Sequence, residues 1–264
     1  MTIKSSGSSL AFSEIESEFG SNGTRSLGSY RLSQNVGSLS NLPLDSGIPT
    51  SGQIKFSDFY SKRLNVVVDC HSGGDQTRIV AKNDKWNNNN LTVIGGFRSK
   101  KEGGSKIIIN VNKKICSDKS AVTNCALKTG SWDSSAVVQV DVGSGGRILG
   151  SGGDGGRGQN GIDGSAQAGG VGSSGLGIEV NNCTVNIASG GIIRAGFGGG
   201  GGGGGAQQVD KGEDRRASGG GGGGGAGCPP GAGGPRGTTG SLGSDGSAGS
   251  ETTGGGGGGG GNNE

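Results

Sequence analysis

The chain has 264 residues, including 66 glycines and 5 cysteines, and its formal net charge is +3. This length predicts one large domain or two small ones, and so small a charge argues against a nucleic-acid partner, which would need a basic surface. No apolar stretch approaches the roughly 20 residues of a membrane span, and the first residues lack the apolar region of a secretory signal. We therefore expect no membrane insertion, and a protein that is made and kept in the cytosol until assembly.

Glycine is distributed unevenly along the chain. Of the 66 glycines, 52 follow residue 142, together with only one aromatic residue, Phe197. Burial of apolar side chains contributes about 25 cal/mol per Å², and a segment that is over two-fifths glycine has little such surface to bury. We predict one domain over residues 1–142 and a second over 143–264, which is either disordered or held together by its backbone.

The first predicted element is a short helix in the segment LAFSEIESEFG. Phe12, Ile15 and Phe19 are spaced by three and four residues, which places them on one face of a two-turn helix. Ser13, followed three residues later by glutamate, has the spacing of a capping box, and Gly20 suits the helix end. The segment KFSDFYSKR, residues 55–63, predicts a second short helix.

Five segments rich in valine and isoleucine follow and predict strands. They are LNVVVD, TRIVAK, LTVIGGF, KIIINVNKKI and AVVQVDV, and clusters of glycine, asparagine and lysine separate them. This pattern is typical of a small sheet or sandwich. Residues 1–142 are therefore predicted to form an α+β or mostly β domain.

A glycine period of three begins after Gly143. Glycine recurs at 146, 152, 155, 158, 161 and 164, and aliphatic residues alternate again over 178–196. Three pure runs follow: eight glycines from Gly198, seven from Gly219 and eight from Gly254. A polyproline-II-type helix has three residues per turn and rises about 3.1 Å per residue, with its N–H and C=O groups pointing outward.

These outward groups can pair with neighbouring helices only if no Cβ blocks the approach. We therefore predict a packed bundle of such helices, in which a fully surrounded helix is all glycine and an outer one carries a side chain at every third residue. We also expect Gly201→Val to destabilise this half, because a Cβ would have no room there. An elastic glycine spacer is the alternative, although it would not need the interspersed aliphatic residues.

Short polar inserts interrupt the glycine runs, and an eight-residue helix of this kind spans roughly 25 Å, so its connecting loops emerge at its ends. The inserts are Ala206 to Ser218, Gln159 to Ala168 and Thr238 to Thr253, with the tail Asn262 to Glu264. We predict that they are loops displayed by a rigid scaffold. Arg215 and Arg216 serve there either in recognition or as solvated loop charges.

No segment predicts catalysis, a cofactor or a metal. Cys70 and His71 are adjacent in DCHSGGD and would point to opposite faces of a strand, so they make a poor catalytic pair. Matches to G-x-G-x-x-G arise by chance in so much glycine and lack the strand and helix that a dinucleotide site needs. An odd number of cysteines without C-x-x-C spacing argues against a disulfide framework or a zinc site, so we predict reduced, mostly buried thiols.

The chain as a whole resembles a known family. The start SSLAFSEIESEFG is similar to a helix-turn segment common to tailed-phage structural proteins. The module ICSDKSAVTNC, followed by three long glycine runs split by polar inserts, resembles the small adhesin that caps the long tail fibres of T-even-type bacteriophages. Collagen, a rival interpretation, would need glycine at every third position over long spans with abundant proline, and this chain has five prolines.

The resemblance implies a virion protein at the tip of the tail fibre that is not an enzyme. Residues 1–142 would attach to the trimeric fibre protein, and residues 143–264 would fold as a layered sandwich of polyglycine-II helices. The inserts would bind a bacterial outer-membrane barrel protein. The attachment candidates are Phe12, Ile15, Phe19, Leu27, Tyr30, Trp86 and Trp132; either tryptophan could instead pack on its own sheet. The receptor-binding candidates are Gln159, Asn160, Ile162, Asp163, Gln207, Gln208, Val209, Asp210, Lys211, Glu213, Asp214, Arg215, Arg216, Thr238, Thr239, Leu242, Asp245, Asn262 and Asn263.

Overall fold

The computed structural model is mostly β-structure, and it describes residues 3–20, 25–36, 39–70, 75–85, 93–94, 97–98, 103–210 and 213–262. The helical elements are α1 (Phe12–Phe19), two 3-10 helices (Leu27–Tyr30 and Phe56–Phe59) and one π-helical turn (Ala81–Lys85). The strands up to residue 111 are β1 (Ser33–Val36), β2 (Leu39–Pro43), β3 (Asn65–Asp69), β4 (Gln76–Thr77), β5 (Ile79–Val80), β6 (Val93–Ile94), β7 (Phe97–Arg98) and β8 (Lys106–Val111).

The later strands are β9 (Lys114–Cys116), β10 (Leu127–Lys128), β11 (Val137–Val142), β12 (Arg147–Leu149), β13 (Leu176–Gly177), β14 (Cys183–Ile187), β15 (Ile192–Arg194), β16 (Ala206–Asp210) and β17 (Glu213–Ala217). All five segments that were predicted as strands contain strands. The prediction that the first part of the chain is rich in β-structure is confirmed.

Three parallel sheets wrap around one core between residues 65 and 194. The first sheet has the order β14-β11-β8-β3, the second β15-β12-β9-β4 and the third β13-β10-β5. Each sheet takes its strands in chain order, so the chain passes from one sheet to the next and returns one strand further along. These strands therefore form a parallel β-solenoid rather than a small sheet or sandwich.

Stacked aliphatic side chains fill the solenoid. The parallel register aligns Val68 with Ile109 and Ile109 with Val140, and all three are at most 1% exposed. Ile115 of the second sheet pairs with Ile148, and both are fully buried. Each such side chain contributes about 1.5–3 kcal/mol through burial, so this region is stabilised by its side chains.

The sheets continue across the compositional change at Gly143. β11 pairs with β14 through five residues, and β9 pairs with β12. Strands on the two sides of the predicted domain boundary therefore share sheets. The division at 142/143 itself stays a prediction.

The N-terminal helix packs over the first turn of the solenoid. Glu18 is buried, and its carboxylate accepts a hydrogen bond from the Leu64 N–H at 2.9 Å. Ala11 is the N-cap of the helix, and its N–H donates to the Glu14 carboxylate at 2.8 Å, so the capping box predicted at Ser13 lies two residues too late in the chain. Gly20 does end the helix, with a φ of 87° that favours glycine.

Straight segments follow β12 and lie side by side with no helical or sheet ladder of their own. We call them rod 1 (151–159), rod 2 (167–173), rod 3 (196–205), rod 4 (218–227), rod 5 (229–237), rod 6 (241–250) and rod 7 (254–261). Their backbone hydrogen bonds recur every third residue. In rod 1, for example, the N–H groups of Gly153, Gly156 and Gln159 donate to Phe197, Gly200 and Gly203 of rod 3.

Rod 4 lies in the middle of this bundle and is buried along its whole length. Rods 1, 3, 5, 6 and 7 all hydrogen bond to it. A Cβ built on Gly222 would lie 2.0 Å from the Gly200 carbonyl oxygen, which no real contact permits. Gly201 differs, because its Cβ would meet nothing closer than 3.7 Å. The prediction that a side chain at Gly201 has no room is therefore wrong, and its neighbour Gly202, with only 2.0 Å, is a closed position.

One disulfide links the solenoid to the rods. It joins Cys116, the last residue of β9, to Cys228, which follows rod 4. The prediction of five reduced thiols is therefore wrong for this pair, because residues 112 positions apart in sequence are neighbours in space. Cys70 and Cys125 are buried free thiols, and Cys183 is half-buried.

Ion pairs also anchor one end of the rods on the solenoid. Glu251, in the turn between rods 6 and 7, accepts from Arg147 of β12 at 2.9 Å and from Lys114 of β9 at 3.4 Å. Arg194 of β15 donates to the Glu251 carbonyl oxygen. We call this end of the rods the proximal end and the opposite end the distal end.

Candidate functional site

The distal end collects three loops that are far apart in sequence. Rod 1 starts beside β12 and runs away from the solenoid, and rods 3 and 5 lie parallel to it, since successive N–H groups of rod 1 donate to successive carbonyls of both. The residues that follow these three rods therefore emerge together. They are the loops 160–166 and 238–240 and the hairpin formed by β16 and β17. We call this set the tip.

The hairpin is the largest part of the tip. Its two antiparallel strands pair from Ala206 with Ala217 to Asp210 with Glu213. Asp214 accepts hydrogen bonds from Gln207 and, at 3.1 Å, from Arg216. These two donors, Gln207 first, hold the pKa of the Asp214 carboxyl below its usual range, so the exposed face of the hairpin carries a fixed negative charge beside an arginine.

Polar contacts join the three loops to one another. Arg216 of the hairpin pairs with Asp163 of the first loop at 3.3 Å. The side-chain oxygen of Asn160 accepts from the Thr238 N–H at 2.8 Å and from the Arg157 guanidinium at 3.1 Å. The tip is therefore one connected surface, with its loops fixed relative to each other.

The first rod also braces its own loop. The Gln159 side chain donates to the Gly164 carbonyl oxygen at 3.0 Å and accepts from the Gly205 N–H at 2.9 Å. Two large apolar side chains remain exposed nearby, Ile162 at 45% and Leu242 at 51%. Exposed apolar side chains set among hydrogen-bonding groups are typical of protein-binding surfaces.

The predicted receptor-binding residues fall into several groups. Those brought together at the tip are Gln159, Asn160, Ile162, Asp163, Gln207, Asp214, Arg215, Arg216, Thr238 and Thr239. The strands of the hairpin contain Gln208, Val209, Asp210 and Glu213. Exposed residues at or near the distal ends of rods 6 and 7 are Leu242 and Asn262. Lys211 and Asn263 lie outside the described residues.

The predicted insert from Thr238 to Thr253 is not a single loop, and this expectation is wrong. Residues 241–250 form rod 6, in which Gly243, Gly246 and Gly249 face neighbouring rods, and residues 251–253 turn at the proximal end. Asp245 is therefore part of a rod, where it accepts from the Arg236 N–H at 2.9 Å. The glycine spacing of three in SLGSDGSAG was the signal that could have located this rod.

The predicted attachment residues lie mainly in a core. Ile15, Phe19 and Tyr30 are at most 1% exposed, and Phe12 and Leu27 are partly buried against the same core. Trp132 is 8% exposed and donates to the Thr129 carbonyl oxygen at 2.8 Å. Trp86 lies outside the described residues.

The sequence analysis missed Phe56 as a surface residue. Its ring packs edge-on against Phe12 at 6.1 Å and is 41% exposed, so it is the accessible edge of the N-terminal aromatic cluster. The signal was present in KFSDFYSKR, where Phe56 and Phe59 flank a single helical turn. Phe59 faces inward and is fully buried.

The thiol of Cys70, the candidate nucleophile in DCHSGGD, is shielded from solvent. Burial raises the pKa of the Cys70 thiol to about 12, so it is protonated at neutral pH, and His71 lies outside the described residues. The described ranges contain no group of three or more histidine, cysteine or acidic side chains placed to hold a metal ion. No helix among them has the length and apolar character needed to cross a bilayer.

Comparison with known proteins identifies the family. The family model described as phage tail fibre adhesin Gp38 matches residues 76–263, well over half of the chain. Searches of curated proteins and of solved structures gave no match. The matched range includes the solenoid from β4 onward, all seven rods and the whole described tip. The chain therefore belongs to the phage tail fibre adhesin family.

Proposed function

We propose that this adhesin sits at the distal tip of the long tail fibre and recognises a bacterial outer-membrane barrel protein through the tip defined above. The observation that carries this proposal is the convergence of three sequence-distant loops at the distal end, fixed to one another by the Arg216–Asp163 pair and the Asn160 contacts. A fixed surface binds with less loss of loop entropy than three independent loops would.

The scaffold behind the tip is, in this proposal, a polyglycine-II helix sandwich over residues 143–264. It is supported by the period-three hydrogen bonds between rods and by the burial of rod 4. Such a scaffold separates the two tasks of the protein. Loops can change at the distal end without any change in the glycine positions that hold the rods together.

Attachment to the trimeric fibre protein falls, in this proposal, on residues 1–142. Phe12 and Leu27 are partly exposed, and Phe56 adds an accessible aromatic ring beside them. Buried residues such as Phe19 would support this surface from behind. Aromatic side chains are enriched in protein interfaces, which fits a docking role at this end of the molecule.

The side chains of the tip support a protein as the receptor. The tip exposes the apolar side chains Ile162 and Leu242 among charged and amide groups, and protein surfaces likewise combine apolar and polar groups. We propose no enzymatic activity, cofactor or nucleic-acid partner, because recognition by the tip would need only the hydrogen bonds, ion pairs and apolar contacts that its side chains offer.

The proposal is tested by Ile162→Asp, measured as binding of purified protein to host cells. A charge on this exposed loop residue should weaken binding about tenfold or more, equivalent to at least about 1.4 kcal/mol, and leave the thermal unfolding midpoint unchanged. Val122→Asp is the matched control, because Val122 is 53% exposed beside the proximal part of rod 1. Equal binding by both variants and the wild type would remove the first loop from the receptor site.

A further inference from the structure

One row of backbone donors in the middle of the rods has no partner. Rod 4 has three rows of N–H groups, and two of them donate to rods 1 and 6. The third row comprises the N–H groups of Gly220, Gly223 and Ala226, which donate to nothing in the described part of the chain. All three residues are buried. Buried N–H groups are almost always paired in folded proteins, so this row needs an acceptor.

Three-fold geometry gives the direction of this row. The three N–H rows of such a rod are about 120° apart and alternate with its three C=O rows. Rods 1 and 6 receive the first two N–H rows, and rods 5, 7 and 3 donate to the three C=O rows. Five of the six positions around rod 4 are thus taken by rods of the described chain. The unpaired row points to the sixth position, between rods 3 and 7, and we call this position the notch.

Glycine predominates on both walls of the notch. On rod 3, a Cβ at Gly200 or Gly203 would lie 3.4 Å from the backbone nitrogen of Gly223 or Gly220, and Phe197, 59% exposed, begins the same row at the proximal end. On rod 7 the corresponding residues are Gly254, Gly257 and Gly260. A Cβ at any of these five glycines would meet nothing closer than 3.4 Å, and none has a positive φ. Neither space nor backbone conformation within this chain requires glycine there.

Rod 6 shows that outward positions normally carry side chains. Its exposed residues include Leu242, Asp245 and Ala248, while its inward positions are glycine. Glycine also weakens an ordered segment through its backbone entropy. The glycines at 200 and 203 of rod 3 and at 254, 257 and 260 of rod 7 therefore indicate that another backbone approaches these walls closely.

We propose that the notch binds an extended, glycine-rich segment of another protein chain, in the same three-residue-per-turn conformation. Its carbonyl oxygens, spaced about 9 Å apart along every third residue, would accept from Gly220, Gly223 and Ala226. Its N–H groups would meet carbonyls of rods 3 and 7 that accept no backbone hydrogen bond in the described chain, such as those of Gly201 and Gly258. This is the counterpart of adding a strand to the open edge of a sheet.

The probe is a soluble peptide of nine glycines with two lysines at each end, added to full-length ¹⁵N-labelled protein. We expect saturable shifts of the Gly220, Gly223 and Ala226 amide resonances. A control peptide with valine at every third glycine should give shifts at least about tenfold weaker, because a Cβ obstructs the approach of its backbone. Absence of saturable shifts, or equal shifts with both peptides, would overturn the proposal.

Two variants separate the notch from folding. Gly257→Val adds a side chain to the rod 7 wall, where a Cβ would meet nothing closer than 3.7 Å, so it should keep the unfolding midpoint and lose the peptide-induced shifts. Ala248→Val, on the exposed side of rod 6, should keep both. Unchanged shifts in Gly257→Val would contradict the proposal, as would a concentration-dependent dimer of the wild type that this variant abolishes, since the occupant would then be a second copy. None of these outcomes bears on receptor binding at the tip.

Discussion

The solenoid and the rods are stabilised by opposite uses of the side chain. In the solenoid, Ile109 and its neighbours fill a core, and the parallel register stacks one turn on the next. In the rods, glycine removes the side chain so that backbones approach within hydrogen-bonding distance from several directions. The solenoid interior is thus filled by apolar side chains, whereas the interior of the rods is held by backbone hydrogen bonds. Adding or removing one methyl group should therefore change the unfolding free energy by different amounts in the two regions.

The largest expected effect comes from adding a methyl group to the rods. Gly222→Ala places a Cβ at 2.0 Å from the Gly200 carbonyl oxygen, and both partners are backbone, so neither can move alone. We expect a loss of at least about 4 kcal/mol in unfolding free energy, or failure of the rods to fold, measured by denaturant unfolding. Gly201→Ala is the matched control and should cost less than about 1 kcal/mol. If the two variants lose similar amounts of unfolding free energy, close backbone packing around Gly222 does not stabilise the rods.

The second effect concerns the covalent link between the two regions. Cys228→Ser removes a disulfide that closes a loop of 112 residues, and we expect a loss of about 3–4 kcal/mol. Thermal unfolding of the wild type with and without reductant should show the same difference. Cys183→Ser, at a free half-buried thiol, serves as the control. If reductant leaves the wild-type midpoint unchanged, the link does not stabilise the fold.

Removing a methyl group from the solenoid should have a smaller effect. Ile109→Val leaves a small cavity in a fully buried stack, and such changes typically cost about 0.5–1.5 kcal/mol. Denaturant unfolding monitored by tryptophan fluorescence would measure it. If Ile109→Val lowers the unfolding free energy as much as Gly222→Ala does, the solenoid and the rods are equally sensitive to a change of one methyl group, and the contrast between them is wrong.

The smallest effect is electrostatic and lies at the joint between the regions. Asp154 of rod 1 accepts from Lys119 of the solenoid and from the Ala232 N–H, and these contacts, Lys119 first, hold the pKa of its carboxyl below the usual range. A lowered folded-state pKa stabilises the protein above the unfolded value of about 3.9, and this stabilisation is lost as the pH falls through the folded value.

Asp154→Asn should therefore lower stability at neutral pH by less than about 1 kcal/mol, because the carboxylate is partly exposed. The difference from the wild type should shrink as the pH falls below about 4. A difference that stays constant between pH 7 and pH 3 would show that the Asp154 charge is not involved.

Local patterns predicted the elements better than their assembly. Valine and isoleucine located the strands, and the apolar spacing of Phe12, Ile15 and Phe19 located the helix. The parallel stacking of β3, β8 and β11 depends on contacts between residues about 30–40 positions apart, which a short pattern does not contain. The Cys116–Cys228 disulfide escaped prediction for the same reason.

An unbroken glycine run predicts a helix with three residues per turn but does not show which of its residues face outward. The G-x-x spacing from Gly143 to Gly164 includes rod 1, but it also runs through β12 and into the loop 160–166, so it does not give the bounds of the rod. Eight consecutive glycines have no side chain to mark the outward face, so the sequence could not show that Gly201 faces outward and Gly202 inward. For the tip, the inserts included the loop 160–166 and the hairpin but also took in rod 6, and the Arg216–Asp163 contact depends on rods 1 and 3 being parallel.

The most direct test of a backbone-stabilised interior is amide hydrogen exchange along rod 3. Gly199, Gly200, Gly202 and Gly203 donate to neighbouring rods, whereas the N–H groups of Gly198 and Gly201 have no partner in the described chain. We predict slow exchange at the first four and fast exchange at the other two, which is a repeat of three within an unbroken glycine run. Uniformly fast exchange from Gly198 to Gly203 would contradict the account.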